Sequence, residues 1–286
     1  MELPSKGKYG SIISWISSNP DVIDSYGNVT QGNEDISVTL TGIFECQGLE
    51  VLVDYVVLVK AAEEFDYYAA IDDNLVGEAL LMALRELITE THTHKTTYEE
   101  LKTYLQDTDE DIDNRDNIIL FYSGLSIEST WGENWNREHV WPKNRGWFKE
   151  SGAGSDLHHL RPADPSVNSS KSNKLFGEVE KEREVMLSEL NGGGGSGCYS
   201  DATYFEPRDE VKGDVARIIF YLFTRYPESD DYDFTDVAES LELLLEWHNN
   251  DPVDEFERLR NDKIAEYQGN RNPYIDNPQY ALLIWA

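Results

Sequence analysis

Val211, Val215, Ile218, Ile219, Leu222, Phe223 and Tyr226 recur at the spacing of an α-helix, and Pro227 ends the run. That pattern predicts a core helix, so the rest of the fold has to be built around it. The chain is large enough to do so. Of its 286 residues 40 % are apolar and 12 % aromatic, which suits one large domain with a small appendage and excludes a disordered acidic tail. Further helices are expected at 74–91, with an Asp72-Asp73-Asn74 cap and a stripe through Leu75, Leu80, Leu81, Leu84, Leu87 and Ile88, and at 97–105. Two more are expected at 236–247, with Thr235 as N-cap, and from Asp251-Pro252 to Gln268, where Gly269 is the stop.

The N-terminal part reads differently. Residues 37–60 are strand-like, Gly48 marks a turn, and the β-branched run Val51–Val59 predicts a well-buried strand. The expected organisation is α+β, with a small β-rich module at 1–73 and a helix-rich domain at 74–286. Residues 118–122 read as a strand and the glycine-rich stretch 191–197 as a turn or linker. The acidic stretch Asp107–Asp116 lacks the central Gly and terminal Glu of a calcium loop, so it reads as solvated. No internal repeat is visible. The mean hydropathy of −0.55, without a run of about 18 apolar residues, predicts no membrane span. Met1–Tyr9 has no apolar segment of the signal-peptide kind, which fits an intracellular protein or a mature secreted one. Cys46 and Cys198 form no CxxC, which removes zinc ribbons and redox motifs; pairing between them has no support.

Charge at first argues against one class of partner. With 24 Lys and Arg against 55 Asp and Glu, the formal charge is −31, whereas phosphate binding relies on cations that displace counterions. Position changes that conclusion. Residues 131–175 hold seven cations and five acids, a net +2, leaving −33 for the remainder. A basic island on an acidic body marks a polyanion site, because charge beyond a Debye length of about 8–10 Å is screened. The acidity itself reads as a solvated surface suited to high salt.

The same window is aperiodic and dense in His, Trp, Asn, Arg and Pro, as functional loops are. Hydrolysis of a phosphodiester needs a base near neutral pH, for which imidazole is suited. It also needs positive charge on the non-bridging and leaving oxygens, which a divalent cation with few oxygen ligands and an Arg fork can supply. One His, one carboxylate, one amide oxygen and one Arg suffice, and all four types lie between Arg137 and Asn168.

The stretches NREHVWP (136–142), DLHHLRP (156–162), VNSSKSN (167–173), VKGDVAR (211–217), WHNNDP (247–252) and QGNRNPYID (268–276) resemble the bacterial endonuclease I family over residues 78–286. These are secreted or periplasmic nonspecific nucleases of the His-Me finger (ββα-metal) superfamily. The resemblance implies a β-hairpin followed by a helix, with His139 as the general base and Arg137 on the scissile phosphate. It implies Glu138 and Asn168 as ligands of a Mg²⁺ that keeps most of its waters, with Mn²⁺ or Ca²⁺ as substitutes. Adjacent residues of a regular strand face opposite sides, so Glu138 and His139 share one site only if a bulge or strand end turns them together. Lys143, Arg145, Arg161, Lys171 and Lys174 are expected as phosphate contacts. The implied partner is DNA, with RNA as a further substrate, and the implied protein is a secreted or periplasmic monomer without membrane attachment.

Other residues have plainer readings. His158 and His159 are expected to orient the hairpin by hydrogen bonding, His92 and His94 to sit in a solvated loop, and His248 to support the fold. Trp131, Trp135, Trp141 and Trp147 suit either base stacking or packing. Two further functions remain to be weighed: an inactive nucleic-acid-binding or adhesion protein on a nuclease-like fold, and a zinc hydrolase. The zinc hydrolase lacks a three-ligand set.

Overall fold

A computed structural model of the chain describes residues 1, 3–7, 11–61, 66–180 and 183–286. It divides into two compact units, Met1–Ala69 and Ala70–Ala286.

The first unit is an antiparallel sheet of order β1 (Ile12–Ser17), β2 (Ile36–Cys46) and β3 (Leu49–Val59). β2 and β3 pair without interruption from Ile36↔Val59 to Cys46↔Leu49. Their turn is Gln47-Gly48, with φ of 49° and 81°; two consecutive positive values are what a tight two-residue hairpin demands. Ile23, Val38, Leu40 and Val59 form the small core. The expected burial of Val51–Val59 is found only at its end, where Val59 enters the core and Val57 packs against it. Leu49, Val51, Leu52, Val56 and Leu58 are all exposed on the edge strand. β-Branched residues favour extended backbone wherever they occur, but burial requires a covering layer, and among the described residues of this unit no second sheet lies over β3.

The second unit starts with α1 (Gly77–Glu90) and α2 (Leu101–Thr108), followed by the ribbon β4 (Asn117–Ile119) and β5 (Ser126–Glu128). A hairpin of β6 (Asn136–His139) and β7 (Leu160–Ala163) leads into α3 (Pro165–Lys171). Next come β8 (Leu175–Phe176), β9 (Glu184–Met186), β10 (Gly195–Ser200) and β11 (Tyr204–Glu206), in a sheet of order β8-β11-β10-β9. The chain ends with α4 (Lys212–Arg225), α5 (Leu241–Asn250), α6 (Glu255–Gln268), α7 (Pro273–Asp276) and α8 (Gln279–Trp285). The fold is α+β, and among the described residues no helix is long and apolar enough to cross a membrane.

α4 is the core helix. All of its 14 residues except Phe223 are buried, so its polar side chains need internal partners as well. Arg217 donates to both oxygens of Glu257 on α6, at 2.7 and 2.6 Å, and to the Asp251 carbonyl at 2.8 Å. A Cβ at Gly213 would stand 2.1 Å from that same carbonyl, so the close approach requires glycine.

Several local expectations are corrected. The glycine-rich stretch is only partly a turn, because Gly195, Ser196 and Gly197 belong to β10. Asp72 accepts the Asn74 N–H in a local turn, and α1 starts later, after Val76, with no side-chain cap. α5 is capped by Ser240, which accepts from Leu243 N–H at 3.1 Å, rather than by Thr235. α6 is capped by Asp254, while Asp251 accepts from Gly213 N–H at 2.8 Å. Asp109, expected in solvent, is fully buried and accepts from Arg260 at 3.0 Å, so a buried cation has drawn one residue of the acidic stretch inward. His92 is also buried, and both cysteines are free thiols.

The segment leading into β7 is fixed to α4 and α6 through Asp156. Its buried carboxylate accepts from the Tyr221 and Tyr226 hydroxyls at 2.6 and 2.7 Å, Gln268 Nε2 at 3.0 Å and His158 N–H at 2.9 Å. Burial holds His158 and His159 at a pKa of about 4, so both are neutral in the fold. Unfolded histidine titrates near about 6.5. The folded pKa is depressed, so this stability is complete above the unfolded value and is lost as pH falls through the window from about 6.5 to about 4. Equilibrium denaturation is expected to show stability dropping across that window, by at most about 1.4 kcal/mol per pH unit for each histidine. Stability independent of pH between those limits would show that the two rings are not buried in neutral form.

Candidate active site

The β6-β7 hairpin is regular: Arg137↔Pro162, Glu138↔Arg161 and His139↔Leu160 are in register, with no bulge. Strand alternation therefore separates the cluster into two faces. Asn136 and Glu138 face α3, whereas Arg137 and His139 meet Tyr98.

On the first face, Asn168 of α3 donates its two amide hydrogens to Asn136 Oδ1 at 2.7 Å and the Arg137 carbonyl at 3.2 Å. That fixes the amide and leaves Oδ1 as its acceptor. The helix is placed by its own start, where Asp164 caps the N–H groups of Ser166 and Val167 ahead of Pro165 at the first position. Glu138 is buried, and its Oε1 accepts from Tyr122 Oη and from Lys171 Nζ, both at 2.8 Å. Burial pushes the Glu138 carboxyl up and the Lys171 ammonium down, and each charge opposes the shift of the other. Lys171 also donates to the carbonyls of His139 and Val140, at 3.0 and 2.8 Å.

On the second face, His139 lies between two rings, stacked with Tyr98 and with Phe148 at centroid distances of 6.0 Å. Its Nε2 is 3.2 Å from the Gly154 carbonyl. A carbonyl oxygen can only accept, so Nε2 carries the proton and Nδ1 keeps its lone pair. Gly154 is sterically required, since a Cβ there would stand 1.6 Å from the Lys149 carbonyl. Burial, followed by the neighbouring His159, lowers His139 to about 3, which keeps the ring neutral; an anion bound beside it would act in the opposite direction. His159 is fixed in turn: its Nδ1 donates to the Ala153 carbonyl at 2.6 Å and its Nε2 accepts from Trp141 N–H at 3.0 Å. The Arg137 guanidinium sits 3.6 Å from the Tyr98 ring centroid and 4.7 Å from that of Trp131, and it donates to the Tyr98 carbonyl.

The expected phosphate contacts divide. Lys143 is exposed, paired with Glu150 at 3.3 Å, and Arg145 is half-buried, donating from Nε to the Asn173 carbonyl. Arg161 and Lys171 do not reach the surface, which corrects their assignment. Arg161 Nε lies 2.8 Å from the buried Asp109, off the hydrogen-bond axis, with Phe121 against the guanidinium at 4.2 Å. Lys171 is held by Glu138 and two carbonyls. Both cations neutralise buried acids, a requirement that sequence position does not reveal.

Sequence reasoning missed Tyr98, Phe148 and Gly154, which define the environment of His139. Only the Gly152-Ala153-Gly154 run carried a signal, as a place where backbones meet closely. Among the described residues, no group of three or more His, Cys, Asp or Glu side chains converges as a metal cluster. A Mg²⁺ that keeps its waters needs fewer protein oxygens. Asn168 Oδ1 and Glu138 Oε2 are the oxygens left by these side-chain hydrogen bonds, although the Glu138 carboxylate is buried and also interacts with the His139 backbone N–H.

Residues 76–279 match the endonuclease I family, and residues 1–62 match the atrophied bacterial Ig domain. An extracellular ribonuclease of Bacillus amyloliquefaciens is 40% identical over 246 residues, covering 80% of this chain and 81% of that protein. An extracellular ribonuclease of Bacillus subtilis (strain 168) is 40% identical over 241 residues, or 78% of this chain and 80% of that protein. An extracellular deoxyribonuclease of Aeromonas hydrophila is 29% identical over 126 residues, 42% of this chain and 48% of that protein. With the match to residues 76–279 spanning most of its length, the chain belongs to the endonuclease I family.

Proposed function

We propose that the chain is a secreted or periplasmic nuclease that hydrolyses phosphodiester bonds with His139 as general base. The reading rests on one observation, the hydrogen bond between His139 Nε2 and the Gly154 carbonyl, which leaves Nδ1 to take a proton from the attacking water. Tyr98 and Phe148 limit the rotation of the ring. Arg137 is oriented by two aromatic faces and directs its remaining N–H groups to the scissile phosphate. Glu138 and Asn168 would hold a Mg²⁺, with Mn²⁺ or Ca²⁺ as substitutes. When bound, the ion adds positive charge where the phosphate and leaving oxygens become negative. All four residues come from one hairpin and its helix, so a monomer suffices; because Glu138 and His139 face opposite sides of β6, catalysis requires the phosphate to reach both at the strand end, where His139 is the last residue.

Phosphate contacts carry no sequence information, which favours nonspecific cleavage. Relatives are named as both ribonucleases and deoxyribonucleases, and we assign RNA as well as DNA to this chain. An inactive binding protein on the same fold would bind nucleic acid without cutting it. Incubating plasmid DNA and RNA with Mg²⁺ or EDTA, beside His139→Ala, separates these readings. The variant is expected to lose about 10²–10⁴-fold in rate, and EDTA to abolish cleavage. Undiminished cleavage by His139→Ala would remove the base, and equal cleavage in EDTA would remove the metal.

The distribution of charge leads to a second expectation. The body outside the basic window carries −33 and repels the substrate at low ionic strength. Activity is expected to rise with added salt to an optimum before counterion competition lowers it. A monotonic fall from low salt would show that the acidic body has no such effect and that its salt adaptation is not expressed in catalysis.

A further inference from the structure

A cavity of about 660 Å³ adjoins the base and has no part in the chemistry proposed above. It shares a wall with the site, because Phe148, which stacks on His139, and Ala153 and Ser155, which flank Gly154, also line it. Its charge runs against the rest of the molecule. Lys95, Lys149 and Arg225 stand in its wall with Glu228 as the single acid, in a chain whose net charge is −31. Among the described residues, none of the three cations is in an ion pair.

His92 is the most informative member. It is 7% exposed, and Arg225 Nε donates to its Nδ1 at 3.2 Å. Nδ1 is therefore an acceptor, and the neutral ring carries its proton on Nε2. That atom is buried and makes no hydrogen bond of good geometry, although the His94 backbone lies close enough to act on the ring. Burial disfavours a charged ring, so the unmet group is an N–H donor. Asp156 acts on His92 electrostatically, but its carboxylate is already engaged by two hydroxyls, an amide and a backbone N–H. Arg225, itself buried, rests its guanidinium over the Tyr226 ring at 4.7 Å and hydrogen-bonds only through Nε, leaving the N–H groups of both terminal nitrogens for a ligand. A buried imidazole N–H beside a guanidinium, with two flexible ammonium groups at the edge, suits an anion with several acceptor oxygens. Trp147 adds an aromatic surface of the kind on which bases stack.

We propose that this cavity is a second phosphate subsite, occupied by a phosphodiester of the nucleic-acid strand that flanks the one cleaved, with the adjoining base against Trp147. The assignment rests on the nuclease reading for its strand. The anion chemistry stands apart from it, since a free phosphate or a nucleoside monophosphate would use the same donors.

The test has two arms. In the first, protein labelled with ¹⁵N-histidine is titrated with inorganic phosphate and with a nucleoside 5′-monophosphate. The His92 ring signals are expected to shift in the wild type, and much less in the double variant Lys95→Gln with Lys149→Gln, two exposed positions that should fold normally. In the second arm, KM for a long single-stranded oligonucleotide is measured against salt. The variant is expected to raise KM and to lose roughly one to two units of log–log salt slope, as removal of up to two phosphate contacts requires. KM for a dinucleotide is expected to change less. No His92 shift with either anion overturns the subsite. A shift with free phosphate, together with an unaltered KM and salt slope, overturns the strand assignment in favour of a free-anion site. Wild-type protein that cleaves no nucleic acid fails the nuclease reading and the strand assignment together, while the first arm still decides the anion site.

Discussion

The buried Asp156 carboxylate connects the functional hairpin to the core. Two tyrosine hydroxyls reach it from α4 and the residue after it, and the Gln268 amide reaches it from the end of α6. A charge in the interior is tolerable only when its lone pairs are filled, and here the donors come from elements far apart in sequence. Saturating Asp156 therefore places the segment 152–160 against the core. That segment bears the Gly154 carbonyl that sets the His139 tautomer, the Ala153 carbonyl that holds His159, and the start of β7. Burial lowers His158 and His159, so their neutral forms belong to the same arrangement.

A second consequence follows from burying charge. The basic island is a product of sequence proximity, but folding sorts it by depth. Lys171 and Arg161 turn inward to Glu138 and Asp109, while Lys143 stays at the surface. Cations that seemed interchangeable in the sequence become internal counterions in one case and candidates for substrate contact in the other. The hairpin shows the same sorting at finer scale, because strand alternation alone sends Glu138 and His139 to opposite faces.

What could be read from the sequence differed by element. The core helix was clear because apolar residues recur at helical spacing from Val211 to Tyr226, and α4 spans Lys212–Arg225 as that periodicity indicates. The terminal stop at Gly269 was equally readable, since its φ of 87° is a conformation that glycine adopts readily. Val51–Val59 was legible as a strand and misleading about depth. Side-chain branching sets the local backbone, whereas burial depends on what lies above it. His92 failed for the opposite reason: a polar turn after a helix looks solvated until Arg225, distant in the chain, packs over it.

The sequence by itself determined the fold class, the core helix and the residue types from which phosphodiester chemistry could be assembled, because periodicity, backbone preference and side-chain pKa are local properties. Tertiary structure decided which of those residues meet: the tautomer of His139 through Gly154, the inward turn of Arg161 and Lys171, and the unmet donor of His92. Each depends on partners brought together from separate parts of the chain, and the need to satisfy every buried charge and N–H selects among them only after the chain has folded.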